Sequence, residues 1–192
     1  MVIGITGGIG SGKSTLAKLV SKHGYMVYDT DLEARRLQNE DTNLVTQIKS
    51  LFGENIYING ELDRKSLAKI VFNNPDLLKK LTDVVHPAVK ADFLCWKRNY
   101  NCEDILFMES AVLFEGGFNE LTDKIILLTA SMDIRIQRVM HRDNATREQV
   151  EARIKNQIPD EQKAPKSDLV INTDNGLPEN VMQLIKEIRL TF

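Results

Sequence analysis

The sequence predicts a three-layer α/β fold, a parallel five-stranded sheet covered by helices on both faces. Three observations predict it. Apolar runs of strand length recur at Val2–Thr6, Tyr25–Tyr28, Ile105–Met108, Lys124–Thr129 and Leu169–Asn172. Helical patterns fill most of the intervals, and β alternating with α gives a parallel sheet buried on both sides. The first run leads directly into a glycine-rich segment, Gly7 to Ser14, which opens an amphipathic helix through Leu16, Leu19 and Val20.

Helices are expected over Lys13–His23, Asp31–Gln38, Leu44–Phe52, Arg64–Phe72, Asp76–Leu81, Pro87–Tyr100, Met132–Arg142, Arg147–Gln157 and Glu179–Leu190. Asp63 and Ser131 read as caps, and Thr146 with Gln149 has capping-box spacing. A helix is started at Pro87 because proline suits a first turn. The interval between the second and third strands is almost wholly helical around a turn-like stretch from Gly53 to Gly60. It is too long for a simple crossover. In an open α/β sheet ligands sit outside the carboxyl ends of the strands, so an insertion emerging there is placed to hold a second substrate. Arg135 to Lys166 carries Arg135, Arg138, Arg142, Arg147, Arg153, Lys155, Lys163 and Lys166, and reads as a lid.

Gly7 to Ser14 reads Gly-Gly-Ile-Gly-Ser-Gly-Lys-Ser, a full match to the phosphate-loop pattern G-x-x-x-x-G-K-[S/T]. A polyphosphate is wrapped by backbone N–H groups, and glycines permit the turns and close approach that side chains block. Gly8, Gly10, Ser11, Gly12, Lys13, Ser14 and Thr15 are therefore the expected nucleotide-binding residues. Lys13 offers a point charge to the β and γ phosphates, Ser14 a hydroxyl to Mg²⁺, and the helix start a favourable dipole. The expected ligand is a nucleoside triphosphate, ATP.

Asp29 and Asp31 stand at the carboxyl end of the second strand, the side on which the loop opens. A kinase acting on an alcohol needs a carboxylate that orients the hydroxyl and accepts its proton. Asp31 is the favoured base, with Asp29 supporting it or reaching Mg²⁺ indirectly. A helix N-cap is the other reading of Asp31. Glu109 has two readings, an indirect Mg²⁺ contact or a buried structural acid. Glu115 either anchors a loop over the cleft or is a solvated carboxylate, and His86 either meets the acceptor or is a hydrogen-bonded structural group. Arg142 leads the basic candidates because its planar fork matches phosphate oxygens, and Arg138 lies one turn earlier on the same face. Arg135, Lys155 and Lys166 are read as exposed helix charges. Trp96, with Phe93 and Tyr100 at helical spacing, is read as core packing ahead of an adenine platform.

Composition bounds the alternatives. With 25 Lys plus Arg against 27 Asp plus Glu, the formal net charge is −2, against nucleic-acid binding by bulk charge. Anion binding must be local. At 192 residues and 42% hydrophobic content, one domain with inserted subregions is expected. Cys95 and Cys102 are the two thiols, and with no secretory leader they suggest a reducing cytoplasm and two buried or half-buried side chains. His23, His86 and His141 lie far apart and give no metal-ligand spacing. No apolar stretch approaches the ~20 residues of a membrane span, and no targeting segment is read.

Six segments in order give a more specific signal. They are Ile5 to Thr15, Asp29-Thr30-Asp31, His86-Pro87, Val112-Leu113-Phe114-Glu115, Gln137 to Asp143, and Asp168 to Asn172. On these the chain resembles the dephospho-coenzyme A kinase family from end to end. The resemblance implies a phosphate-loop kinase fold with a core (1–30, 104–134 and 167–192), a helical acceptor-binding insertion (about 31–103) and a helical lid (about 135–166). It implies transfer of the γ-phosphoryl of ATP, with Mg²⁺, to the ribose 3′-hydroxyl of dephospho-coenzyme A. Asp31 then matches the base, Arg142 a lid arginine near the phosphates, and the loop after Asn172 passes near the adenine. Ala111 stands where the family usually has proline. Other metabolite or nucleoside monophosphate kinases, or an ATP-binding switch, are the competing functions; no Asn-Lys-x-Asp guanine-reading element occurs.

Overall fold

The computed structural model describes residues 1–72 and 74–190. Its strands are β1 (Val2–Thr6), β2 (Met26–Asp29), β3 (Tyr57–Ile58), β4 (Glu61–Leu62), β5 (Leu106–Glu109), β6 (Lys124–Thr129) and β7 (Leu169–Asn172). Its helices are α1 (Lys13–Lys22), α2 (Thr30–Glu40), α3 (Thr42–Phe52), α4 (Arg64–Phe72), α5 (Pro75–Lys97), α6 (Met132–Asp143), α7 (Arg147–Lys155), α8 (Asp160–Lys163) and α9 (Val181–Leu190). They form two compact units, one from Met1–Asp29 with Cys102 onward, the other Thr30–Asn101.

The first unit holds the parallel sheet, in the order β2-β5-β1-β6-β7. All five residues of β1 and all four of β5 are buried, as strands covered on both faces require. The edge strands β2 and β7 are only partly buried instead. Ile3, Ile5, Phe107, Ile126 and Leu128 from the sheet pack with Leu16, Ala17 and Val20 of α1 and Val181 and Ile185 of α9. Each large apolar side chain fully buried there stabilises by about 1.5–3 kcal/mol. β1 lies at the centre with β5 on one side and β6 on the other, which makes the end of β1 the topological switch point.

In the helical unit α2, α3 and α4 pack on α5. Leu37, Leu44, Ile48, Val85, Val89 and Phe93 are buried there. Arg36 reaches Glu33 at 2.6 Å, Glu40 at 3.3 Å and Asp92 of α5 at 2.7 Å.

Four expectations are corrected. The two helices drawn over Asp76–Leu81 and Pro87–Tyr100 are one, α5, with Pro87 in its interior. An interior proline costs about 3 kcal/mol, but Val85, Val89 and Phe93, on one face at a spacing of four, bury about 1.5–3 kcal/mol each. Packing wins. The turn-like stretch contains a short antiparallel hairpin, β3 with β4, around Asn59-Gly60, whose φ angles of 52° and 85° fit a tight hairpin turn. Ser131 makes no side-chain cap; its N–H donates instead to Asp174 Oδ1 at 2.7 Å. Cys95 and Cys102 are exposed free thiols rather than buried ones. The capping box of Thr146 and Gln149 is present, and Asp63 accepts from the N–H groups of Lys65 and Ser66 at 3.1 Å each. Among the described residues no helix is long and apolar enough to cross a membrane.

Candidate active site

The glycine-rich loop leaves β1 at the switch point and turns into α1 at Gly12, whose φ of 95° lies in the left-handed region that favours glycine. The loop closes on itself through Ser11 N–H to Gly8 O at 3.1 Å and Lys13 Nζ to Gly8 O at 3.2 Å. Around its open side lies a cavity of about 280 Å³ lined by Gly10, Gly12, Lys13, Ser14, Thr15, Lys18, Arg138, Val139 and Arg142. Four of these are cations and none is a carboxylate, so the cavity suits an anion.

Lys13 is buried, while Ser14 and Thr15 are exposed at the start of α1. Ser14 Oγ donates to Glu109 Oε1 at 3.1 Å. Glu109 is buried at the end of β5, opposite Asp29 in the β2–β5 register. Arg142 ends α6 and is held by Asp143, from Nε to Oδ1 at 2.7 Å and from Nη2 to Oδ2 at 3.0 Å. Arg153 joins the same carboxylate at 2.9 Å. Arg142 first, then Arg153, holds the Asp143 carboxyl below its usual range. On an exposed pair such a grip is weak, about 0–1 kcal/mol, so phosphate oxygens can compete for Arg142.

The structure does not bring every expected residue to this cavity. Asp31 is exposed in the first turn of α2, within the helical unit, rather than an N-cap. Gly8 and Ser11 are buried behind the loop and do not line the cavity. Asn172, at the end of β7, is exposed outside the lining and forms a local turn in which Asp174 N–H donates to its Oδ1 at 2.9 Å. Its neighbour Thr173 was not among the expected residues. Thr173 is buried, its hydroxyl donates to Ser11 O at 2.8 Å, and Arg138 donates to its hydroxyl at 3.0 Å and its carbonyl at 2.5 Å. Arg138 is thus a bracket between β7 and the loop. A short polar residue after a strand carries no sequence signal for such a role. Lys18, one helical turn after Ser14, was also missed, although its spacing on α1 was available.

Arg135 is corrected outright. Its side chain is 11% exposed, Nε donates to Ile9 O at 3.0 Å, and Nη1 faces Asp160 Oδ2 at 3.6 Å. Burial pushes the Asp160 carboxyl up, against the pull of Arg135 and Lys163. Glu115 is an anchor rather than a solvated group, accepting from Ile158 N–H at 3.0 Å and pairing with the fully buried Lys163 at 3.1 Å. Lys155 and Lys166 are exposed as expected.

In the helical unit, His86 is half-buried, and burial first, then Lys90, holds its imidazole below the ordinary value. Trp96 is half-buried and packs in tilted contact with Phe93 and Tyr100, at centroid distances of 5.8 and 4.8 Å. A second cavity of about 490 Å³ lies between α2, α3 and α5. It is larger, but Asp41, Asp83 and Asp92 line it and no cation does, so it is the wrong chemistry for phosphate.

Comparison with known proteins decides the family. The dephospho-CoA kinase family model matches residues 1–179. The chain belongs to the dephospho-CoA kinase family. A dephospho-CoA kinase of Bacteroides fragilis is 36% identical over 185 residues, covering 95% of this chain and 90% of the relative. Among solved structures, a Thermus thermophilus crystal structure superposes with a TM-score of 0.84 at 36% identity, covering 99% of this chain and 96% of the other. The dephospho-CoA kinase of Campylobacter jejuni gives 0.69 at 29% identity, covering 98% and 95%. The phosphate-loop kinase fold of this dephospho-CoA kinase family member is thus shared along essentially its whole length.

Proposed function

We propose that this chain transfers the γ-phosphoryl group of ATP to the ribose 3′-hydroxyl of dephospho-CoA. One observation carries the reading: a cavity at the switch point whose lining combines the loop backbone with Lys13, Lys18, Arg138 and Arg142. Such a lining binds a triphosphate and offsets the charge that spreads over the transferred phosphoryl oxygens. Lys13 is the point charge on the β and γ phosphates, and Arg142 turns from Asp143 to the phosphates. Gly8 and Ser11 shape the loop from behind, and the segment after Asn172 borders the adenine.

Ser14 Oγ and the Glu109 carboxylate are hard oxygen donors 3.1 Å apart, which fits Mg²⁺, an ion that takes one or two protein oxygens and completes its shell with phosphate and water. When bound, Mg²⁺ neutralises phosphate charge. Asp31, two residues beyond Asp29, orients the acceptor hydroxyl and takes its proton, converting the alcohol into the nucleophile as the O–P bond forms and ADP leaves. The helical unit Thr30–Asn101 takes the acceptor, and about 135–166 forms the lid. The exposed thiols and the ATP requirement suit the cytoplasm.

The test is product formation by purified protein with Mg²⁺ and ATP, with and without dephospho-CoA. A product heavier by one phosphoryl group, formed only with that acceptor, is expected; ATP binding without any such product overturns the reading. Asp31→Asn is expected to lower kcat about 10²–10⁴-fold with ATP affinity retained, and an unchanged kcat removes Asp31 from the role.

A further inference from the structure

We infer that Gln157 is a positioning residue for the phosphate loop, holding the backbone of Ile9 from outside the nucleotide site. Ile9 lies between Gly8 and Gly10, and its backbone is held on both of its polar groups. Its N–H donates to Gln157 Oε1 at 2.8 Å, and its carbonyl accepts from Arg135 Nε at 3.0 Å. Its side chain packs on the small apolar cluster of Ile136, Val139 and Val150.

The Gln157 amide is used at both ends. Its Nε2 donates to Ala111 O at 3.4 Å, in the loop that follows β5, which orients the oxygen toward Ile9. The next residue is fixed independently, because Ile158 N–H donates to Glu115 Oε1 at 3.0 Å and Glu115 is paired with Lys163 at 3.1 Å. Gln157 therefore projects from a pinned stretch of backbone. A primary amide supplies one acceptor and one donor in a fixed geometry, which a carboxylate or a thioether does not.

The consequence is for nucleotide binding. A phosphate is held by loop N–H groups pointing inward, and that requires the outward N–H at Ile9 to have its own partner. Without Gln157 the Gly8–Ile9 peptide is held only through its carbonyl, by Ser11 N–H and Lys13 Nζ, and the inward N–H groups of the residues after it are less firmly preset. Positioning of this kind is read in binding and rate rather than in bulk stability.

The inference rests on the proposed nucleotide site but not on the acceptor. Gln157→Met keeps the volume and removes both hydrogen bonds; Gln157→Glu keeps the acceptor for Ile9 and loses the donor to Ala111. ATP affinity is measured by calorimetry without acceptor, and exchange of the Ile9 amide proton by NMR in the folded proteins. Expected for Gln157→Met are about tenfold weaker ATP binding, faster Ile9 exchange, a raised KM for ATP and an unchanged KM for the acceptor. Gln157→Glu is expected to recover Ile9 protection and much of the affinity. Wild-type affinity in Gln157→Met, or equal loss in both variants, overturns the inference. If the wild type binds ATP but phosphorylates no dephospho-CoA, the proposed function fails while these binding arms still decide the role of Gln157.

Discussion

A methyl group added at Gly10 would sit 2.5 Å from the carbonyl oxygen of Arg135, on a residue whose φ is 82°. At Gly8 it would strike the Arg135 guanidinium. Gly10 is thus required by the backbone of α6 pressing on the back of the loop, in addition to any need to admit phosphate, whereas at Gly8 it is the Arg135 side chain that would have to move. Gly24 separates the two costs, since its φ is 86° but nothing lies within 4 Å of an added methyl. Gly24→Ala is expected to cost only the left-handed strain, about 1–2 kcal/mol, with ATP affinity unchanged. Gly10→Ala is expected to weaken ATP binding at least about tenfold, because the loop or α6 must shift; calorimetric titration of both variants checks this, and equal affinities would show that the contact with Arg135 is easily relieved. The pattern G-x-x-x-x-G-K-S was legible in the sequence, but the packing that fixes the second and fourth of its residues was not. Arg135 is separated from them by more than a hundred positions, and an arginine on an amphipathic helix reads by default as solvated.

At the scale of elements, α5 shows tertiary packing overriding local preference. Proline at position 87 has no N–H to give, and its ring disfavours helix in the residue before it, yet α5 runs unbroken from Pro75 to Lys97. Pro87→Ala is expected to stabilise the protein by about 2–2.5 kcal/mol, the helix-interior penalty of proline less the entropy that alanine returns to the unfolded chain. Urea denaturation measures it, and a loss of stability would mean that the proline ring contributes packing greater than its helix penalty. The five strands of the main sheet were found from apolar runs within about one residue, the central three because strands buried on both faces are apolar throughout. The hairpin of β3 and β4 was passed over because two-residue strands have no periodicity, although Asn59-Gly60 between them was the available turn signal.

For the whole molecule, net charge and local charge differ in sign. The chain carries −2, yet the lining of the loop cavity is cationic throughout its charged members, so attraction of a polyphosphate is local and sensitive to salt. Stability has a pH signature as well. Above about pH 6.5 His86 is neutral in both the folded and unfolded chains. Below that value the unfolded chain takes up a proton that the folded chain resists, through burial and Lys90 and against the opposing pull of Asp83. Folding stability therefore falls with acidification from pH 6.5 down to the lower folded value, and then stays offset. His86→Gln is expected to flatten the fall between pH 7 and 5 in urea melts; an unchanged slope would show that His86 does not contribute. The sequence by itself determined the parallel sheet, the phosphate loop and the family resemblance, because apolar periodicity and a contiguous motif are local properties of the chain. Only the tertiary structure decided that Arg135, Thr173 and Gln157 grip the loop, that Glu109 faces Ser14, and that Asn172 stands outside the cavity. Those contacts join residues distant in sequence, and apart from Glu109 with Ser14 their partners are backbone groups, which every residue possesses and no side-chain pattern records.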